Sequence, residues 1–227
     1  MSKLPRVLEP EYMDTDEEAV EYDMMDHSTV NRKFAEELLA QGNLGRDILD
    51  LGTGTARIPI ELCKRCEDIR VMASDAAVSM LELARYNLEV ESMIGRIVLH
   101  HGDSKKLNFP DAYFDTVMSN SLVHHIPEPM KMLSEAVRVL RPSGLVFIRD
   151  LCRPDDNDQV EWLVKEYCGE ETDSAQQLFR QSLHAALTLE EMRAMVVDLG
   201  FSPDGVQMSS DRHWTWAGRK PSVQSAL

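Results

Sequence analysis

The 227-residue chain has no apolar run approaching the roughly 20 residues that a membrane-spanning helix requires. Its opening, MSKLPRVLEPEY, lacks the apolar stretch of a secretory signal. Four cysteines are too few to frame a chain this long with disulfides, so a reducing cytoplasm is the expected compartment. Basic charge is scarce as well. The 24 Lys and Arg face 39 Asp and Glu, and a net charge of −15 repels phosphate backbones, which excludes general DNA or RNA binding. Repeats and low-complexity segments are absent too. What is present, 43% hydrophobic and 28% charged residues, is the composition of a folded globular domain.

The acids are unevenly placed. Nine lie between Glu9 and Asp26 with no Lys or Arg among them, as expected of a solvated helical face. Val30, Phe34, Leu38 and Leu39 then share a helical stripe, which Gly42 and Gly45 close. Beyond it, short apolar strands over 46–51, 69–74, 96–100, 114–119 and 145–149 alternate with helices. One helix covers 55–66; others carry the stripes Ala77, Leu81, Ala84, Leu88 and Met130, Leu133, Val137, Leu140. Such alternation predicts a parallel sheet with helices on both faces. The RPSG sequence of 141–144 predicts a turn before the fifth strand. Residues 155–200 read as almost entirely helical, and TLEE at 188–191 predicts a capping box. Two short strands, 206–210 and 213–216, are separated only by Asp211 and Arg212, which predicts an antiparallel hairpin. The whole reads as one domain with a frayed tail at 221–227.

DLGTGTA, residues 50–56, falls where the first strand meets its helix. Glycines there permit a tight turn and a close approach of backbone to ligand. Asp50 places a carboxylate two residues before Gly52. Asp75 ends the second strand 23 positions beyond Gly52, near the roughly 20 expected of an acid that holds ribose hydroxyls. A nicotinamide-binding GxGxxG loop would need a third glycine where Arg57 stands, and Asp50 would repel a pyrophosphate. The ligand these features suit carries a ribose and a positive charge. An NAD-dependent dehydrogenase and a non-catalytic cofactor-binding module are the competing readings from other classes.

DLGTGTA, Asp75, HGDSKKLNF (101–109), FDTVMSNSLVHHIPEP (114–129) and LRPSGLVFIRD (140–150) together resemble the class I S-adenosylmethionine-dependent methyltransferases of small molecules, over nearly the whole chain. The resemblance implies a Rossmann-like seven-strand α/β sheet of order 3-2-1-4-5-7-6 with strand 7 antiparallel. It also implies a division into an N-terminal helical cover (1–45), a cofactor-binding core (46–150) and acceptor-side helices with the terminal hairpin (151–220). Carried over position by position, it sets Asp50, Gly52, Thr53 and Gly54 around the methionine part of S-adenosylmethionine. Asp75 and Ala76 fall by the ribose, Asp103 and Ser104 by the adenine, Asn120 near the amino acid end, and Tyr22 over the cofactor. Ala56 replaces a commoner glycine, and it fits if its φ stays negative.

The acceptor is expected beyond the carboxyl ends of the strands, which draws attention to His124, His125, Asp150, Arg153 and His213. A hydroxyl acceptor needs a base, and a His oriented by an Asp suits that role. The HHIPEP stretch resembles the corresponding segment of small-molecule O-methyltransferases. More weakly, SNSLVHHIPEP, RDLCRP and SDRHWTW resemble bacterial methyltransferases of small thiols or hydrogen sulfide, with Trp214 and Trp216 placed to wall a small pocket or to fill the core. S-methylation of a small thiol or sulfide is the leading expectation and O-methylation of a small metabolite the alternative. No metal is expected: the Cys63–Cys66 CxxC stands alone inside a helix, and His27, His100 and His101 supply no tightly spaced ligand set. A small-molecule acceptor is the partner expected, with neither nucleic acid nor membrane.

Overall fold

The structure, a computed structural model, describes residues 4–9, 23 and 28–222. Tyr22, most of the acidic run and the last five residues lie outside the described residues. Helix α1 (Ser28–Leu39) buries Phe34, Ala35 and Leu38, while Val30, expected on the same stripe, is exposed. The chain then runs through β1 (Asp47–Leu51), α2 (Arg57–Arg65), β2 (Arg70–Asp75), α3 (Val78–Val90), β3 (Ile97–His101), β4 (Phe114–Asn120) and α4 (Pro129–Val139). It continues with β5 (Leu140–Leu151), α5 (Asn157–Cys168), α6 (Asp173–Ala185), α7 (Leu189–Asp198), β6 (Val206–Met208) and β7 (His213–Arg219).

The seven strands form one sheet of order β3-β2-β1-β4-β5-β7-β6, as expected. β1 pairs in parallel with β2 and β4, and β2 with β3, whereas β6 and β7 are the antiparallel hairpin. Parallel strands covered on both faces must be apolar almost throughout. DILDL obeys this, with only Asp47 short of full burial and Asp50 the exception that calls for a reason. The capping box is present: Thr188 accepts from the Glu191 N–H, and Glu191 accepts from the Thr188 N–H.

The residues group into two compact units. One comprises 13–120, 131–148 and 217–227; the other 1–12, 121–130 and 149–216. In the first, Phe34 packs edge-on against Phe147 with centroids 5.1 Å apart, within a core that includes Leu38, Ile48, Ile60 and Leu62. In the second, Leu151, Val160, Leu163, Val164 and Leu183 pack together, and Trp216 meets Phe201 edge-on at 5.1 Å.

Two local expectations are corrected. RPSG is no turn: β5 runs straight through 141–144, because the Ser143 N–H donates to the Lys220 carbonyl and the Lys220 N–H to the Gly144 carbonyl, at 2.8 and 2.9 Å. Ser143 marks the spot only as a kink, with φ +63°. Ala56 does not keep a negative φ. It stands at +60°, the left-handed conformation, where a Cβ costs about 1–2 kcal/mol.

Candidate active site

The loop after β1 belongs to the first unit. Its N–H groups are engaged within the protein: Gly52 and Thr53 donate to the Ser74 carbonyl at 2.9 and 3.0 Å, and Gly54 donates to Asp75 Oδ2 at 2.7 Å. Gly52 and Gly54 have φ of +70° and +55°, the left-handed conformation that favours glycine. Asp75 Oδ1 accepts from the Ala77 N–H at 2.9 Å, which satisfies an amide at the start of α3 in place of a side-chain cap.

Asp50 is buried, and among the described residues no Lys or Arg forms an ion pair with it. Burial, reinforced by the charge of Asp75, pushes its pKa up to about 7. A buried carboxylate in that condition is matched by a cationic ligand. The Thr53 side chain, also buried, interacts with the Asp50 carboxyl and offsets part of that rise in pKa. These features fit the methionine end of S-adenosylmethionine, with its ammonium group.

Ala76 is exposed beside Asp75, and Asn120 ends β4 half-buried. Asp103 is exposed, accepting from the Lys105 N–H at 2.9 Å and pairing with the Lys105 ammonium at 2.7 Å. Ser104 lies in the same turn. Arg57, the residue that breaks the GxGxxG pattern, makes a two-pronged pair with Asp23 at 2.7 and 3.0 Å. Asp23 and Glu9, both in the acidic run, are therefore not merely solvated: each has a basic partner, Arg57 and His125.

In the second unit, Ser121 turns the chain out of β4 with φ +55° into a short 3-10 turn, Val123–His125. Asp150, fully buried, reaches this turn. It accepts from the N–H groups of Val123 at 2.5 Å and His124 at 3.3 Å, from its neighbour Leu151 at 2.6 Å, and pairs with His124 Nδ1 at 2.5 Å. Burial pushes the Asp150 pKa up, but the His124 imidazole and the donated amides outweigh it and hold the carboxyl below its usual range. His124 is only 3% exposed. Burial pulls its pKa down, and the Asp150 charge more than offsets this, so the imidazole holds a proton more tightly than an ordinary histidine. With Nδ1 directed to Asp150, Nε2 is the ring nitrogen left for chemistry.

The remaining candidates are arranged differently. His125 lies against His124 with rings tilted by 39° and centroids 4.0 Å apart, and pairs with Glu9. Arg153 is buried, donating to the Ala186 carbonyl at 2.8 Å and to Glu191 at 2.6 Å, a bracing arrangement. His213 bonds Ser210 at 2.8 Å, and burial together with the charge of Arg212 pushes its pKa down to about 4. Arg212 lies 3.3 Å above the Tyr167 ring, whose hydroxyl donates to Asp211. The polar SDRH string is thus satisfied from within its own unit. Trp214 and Trp216 are completely buried and fill the core. A cavity of about 370 Å³ is bounded by Cys152, Gln159, Trp162, Leu163 and Asp211 among others, but by neither His124 nor His125. Glu9 escaped the sequence reading because 115 positions separate it from His124 and only the fold joins them.

A family model described as a methyltransferase domain matches residues 49–148. With the strand order, it likens the core of this chain to the S-adenosylmethionine-dependent methyltransferase fold. Among curated relatives, the chain is 27% identical over 142 residues to the ubiquinone/menaquinone biosynthesis C-methyltransferase UbiE of Francisella tularensis subsp. novicida, covering 60% of this chain and 57% of the relative. It is 26% identical over 180 residues to 27-O-demethylrifamycin SV methyltransferase of Amycolatopsis mediterranei, covering 78% of this chain and 62% of the relative. The chain thus spans less than two thirds of either. Among solved structures, a candidate S-adenosyl-L-methionine-dependent methyltransferase from Methanococcus maripaludis superposes with a TM-score of 0.71 at 17% identity, over 97% of this chain and 100% of the other. No helix of the described residues is long and apolar enough to cross a membrane.

Proposed function

We propose that the protein transfers the methyl group of S-adenosylmethionine to a hydroxyl oxygen of a small molecule, with His124 receiving the acceptor's proton. One observation carries the choice of acceptor: the buried His124, oriented through Nδ1 by an Asp150 that four donors hold in place. A thiol, with a pKa of about 8.5, reaches its nucleophilic anion far more readily than a hydroxyl and has less need of such a pair; a hydroxyl does need it. Both tryptophans are buried in the core, so neither lends support to a small aromatic pocket for a sulfide acceptor. The O-methyltransferase among the relatives supports the same reading.

The cofactor, when bound, supplies an electrophilic methyl group on a sulfonium. Asp50 would hold its ammonium, Gly52, Thr53 and Gly54 would let it approach the backbone, and Asp75 would take the ribose hydroxyls. Asp103, Ser104 and Asn120 complete the proposed contacts. Asp150 raises the affinity of His124 for a proton, the direction a base requires, and fixes Nε2 as the accepting atom. His213, neutral at pH 7, and Arg153, engaged with Glu191, are assigned supporting roles. All four cysteines are free, which supports a cytoplasmic setting.

The test is incubation with methyl-labelled cofactor and a panel of phenols, hydroxylated metabolites, hydrogen sulfide and methanethiol. Labelled ethers are expected. Labelled sulfides alone would replace this reading with S-methylation. Binding of S-adenosylhomocysteine without any turnover would leave a cofactor-binding module, and preferential binding of NADH would leave a dehydrogenase.

A further inference from the structure

We propose that Glu9, His124 and His125 form a binding site for one divalent first-row transition-metal ion. Each residue offers a ligand atom, and the three atoms lie within 4.8 Å of one another, a span that an ion at bonding distance of about 2.0–2.2 Å from each can close with small side-chain rotations. Two imidazoles and one carboxylate suit zinc, cobalt, nickel or iron rather than calcium or magnesium, which prefer all-oxygen sets.

The surroundings are those of a ligand set. Metal-bound histidines regularly direct their second ring nitrogen to a carboxylate, which fixes the tautomer and raises ligand basicity. Asp150 does this for His124, bonding Nδ1 at 2.5 Å and leaving Nε2 for an ion. Glu9 is held likewise, its Oε1 accepting from the Ser182 hydroxyl at 2.5 Å. The segment that brings Glu9 is anchored on both sides of the turn. Arg6 donates to the carbonyls of His124 and Ile126 at 3.2 and 2.9 Å, and the Val7 N–H donates to the His184 carbonyl at 3.1 Å. Glu9, Asp150 and Glu191 supply three negative charges against the two positive charges of Arg6 and Arg153, a balance that favours a dication. Three protein ligands leave a fourth position open, as in sites that bind water or substrate.

The site goes beyond the methyltransferase reading and intersects it at one atom. An ion on His124 Nε2 occupies the nitrogen proposed to receive the acceptor's proton, so loading is expected to suppress transfer. Binding itself does not depend on that reading. The experiment uses the full chain, stripped with a chelator and titrated with Zn2+ against a chromophoric competitor and separately with Co2+ by visible absorption. One ion per chain is expected, with Co2+ bands free of thiolate charge transfer. Glu9→Gln and His125→Gln should each weaken binding at least tenfold, and Ser182→Ala, which removes no ligand, by roughly tenfold. Binding unchanged in Glu9→Gln and His125→Gln, or a thiolate band that moves the ion to Cys63 and Cys66, overturns the proposal. Tight binding by a protein that methylates no hydroxyl would sink the acceptor reading and leave this one intact. Ether formation by a protein that takes up no ion would do the reverse.

Discussion

The carboxylate of Asp75 joins the loop after β1 to the start of α3: Oδ2 accepts from the Gly54 N–H at 2.7 Å, and Oδ1 from the Ala77 N–H at 2.9 Å. The acid at the end of β2 thereby braces the loop after β1 and satisfies an amide at the start of α3. Replacing it removes both bonds together with the proposed ribose contact. Asp75→Ala is expected to raise the Kd for S-adenosylhomocysteine at least tenfold in calorimetric titration. It should also cost about 2 kcal/mol of stability, at about 1 kcal/mol for each lost bond. Asp75→Asn retains only part of this set and should fall between. If stability drops while the Kd holds, Asp75 braces the loop without touching the ligand.

Most of this architecture is legible in the sequence, and most exceptions share a cause: partners far apart along the chain. Parallel strands such as DILDL and RVMASD are buried on both faces, so their apolar runs mark them without any tertiary information. Thr188 and Glu191 predict their own capping box because its partners are three residues apart. RPSG reads as a turn in the sequence because Lys220, which pairs with Ser143 and Gly144, is 77 and 76 positions away. The same holds in the site. Asp50, Gly52 and Asp75 announce themselves by spacing along one strand-loop-strand unit, whereas Glu9 meets His125 only through folding. Ala56 shows a different limit: its +60° φ is set by the loop that Asp75 braces, and a single-residue preference does not foresee it.

Asp50 provides a pH signature for cofactor binding. Its carboxyl is held at about 7 by burial, so below that pH it carries a proton in the folded protein. A ligand ammonium pairs with the carboxylate and not with the acid, and binding must first displace that proton. The Kd should therefore rise as pH falls through 7, by about tenfold between pH 8 and pH 6. Titration of S-adenosylhomocysteine across that range checks it, and Asp50→Asn should flatten the profile while binding weakly throughout. The sign for stability is opposite. The unliganded fold favours the protonated acid, so it loses stability as pH rises from about 4 towards 7.

Kinetics can test the proposed role of Asp150 and His124 independently of cofactor binding. Asp150→Asn keeps the size of the side chain but removes the charge that fixes the imidazole and strengthens it as a base. A base contributes about 10²–10⁴-fold. The expected result is a fall of at least about 10²-fold in kcat for a hydroxyl acceptor, with the Kd for S-adenosylhomocysteine unchanged. His124→Gln should show the same pattern. Full activity in either variant would remove the pair from the chemistry and leave it as a clasp between the 3-10 turn and β5.

His213 makes a prediction about acid stability that does not depend on the reaction. Its pKa is depressed to about 4 by burial and by Arg212, whereas an unfolded chain protonates histidine near 6.5. The folded state resists the proton. The stability that follows is complete above pH 6.5 and is lost as pH falls from 6.5 towards 4, by up to about 3 kcal/mol. Urea unfolding at pH 7 and at pH 4.5 measures the loss. His213→Gln retains a polar partner for Ser210 but has no proton to gain, so it should unfold with a shallower dependence over the same interval. A wild-type profile as shallow as the variant's would mean that His213 takes up its proton in the folded state, with Ser210 or Asp150 accommodating the charge.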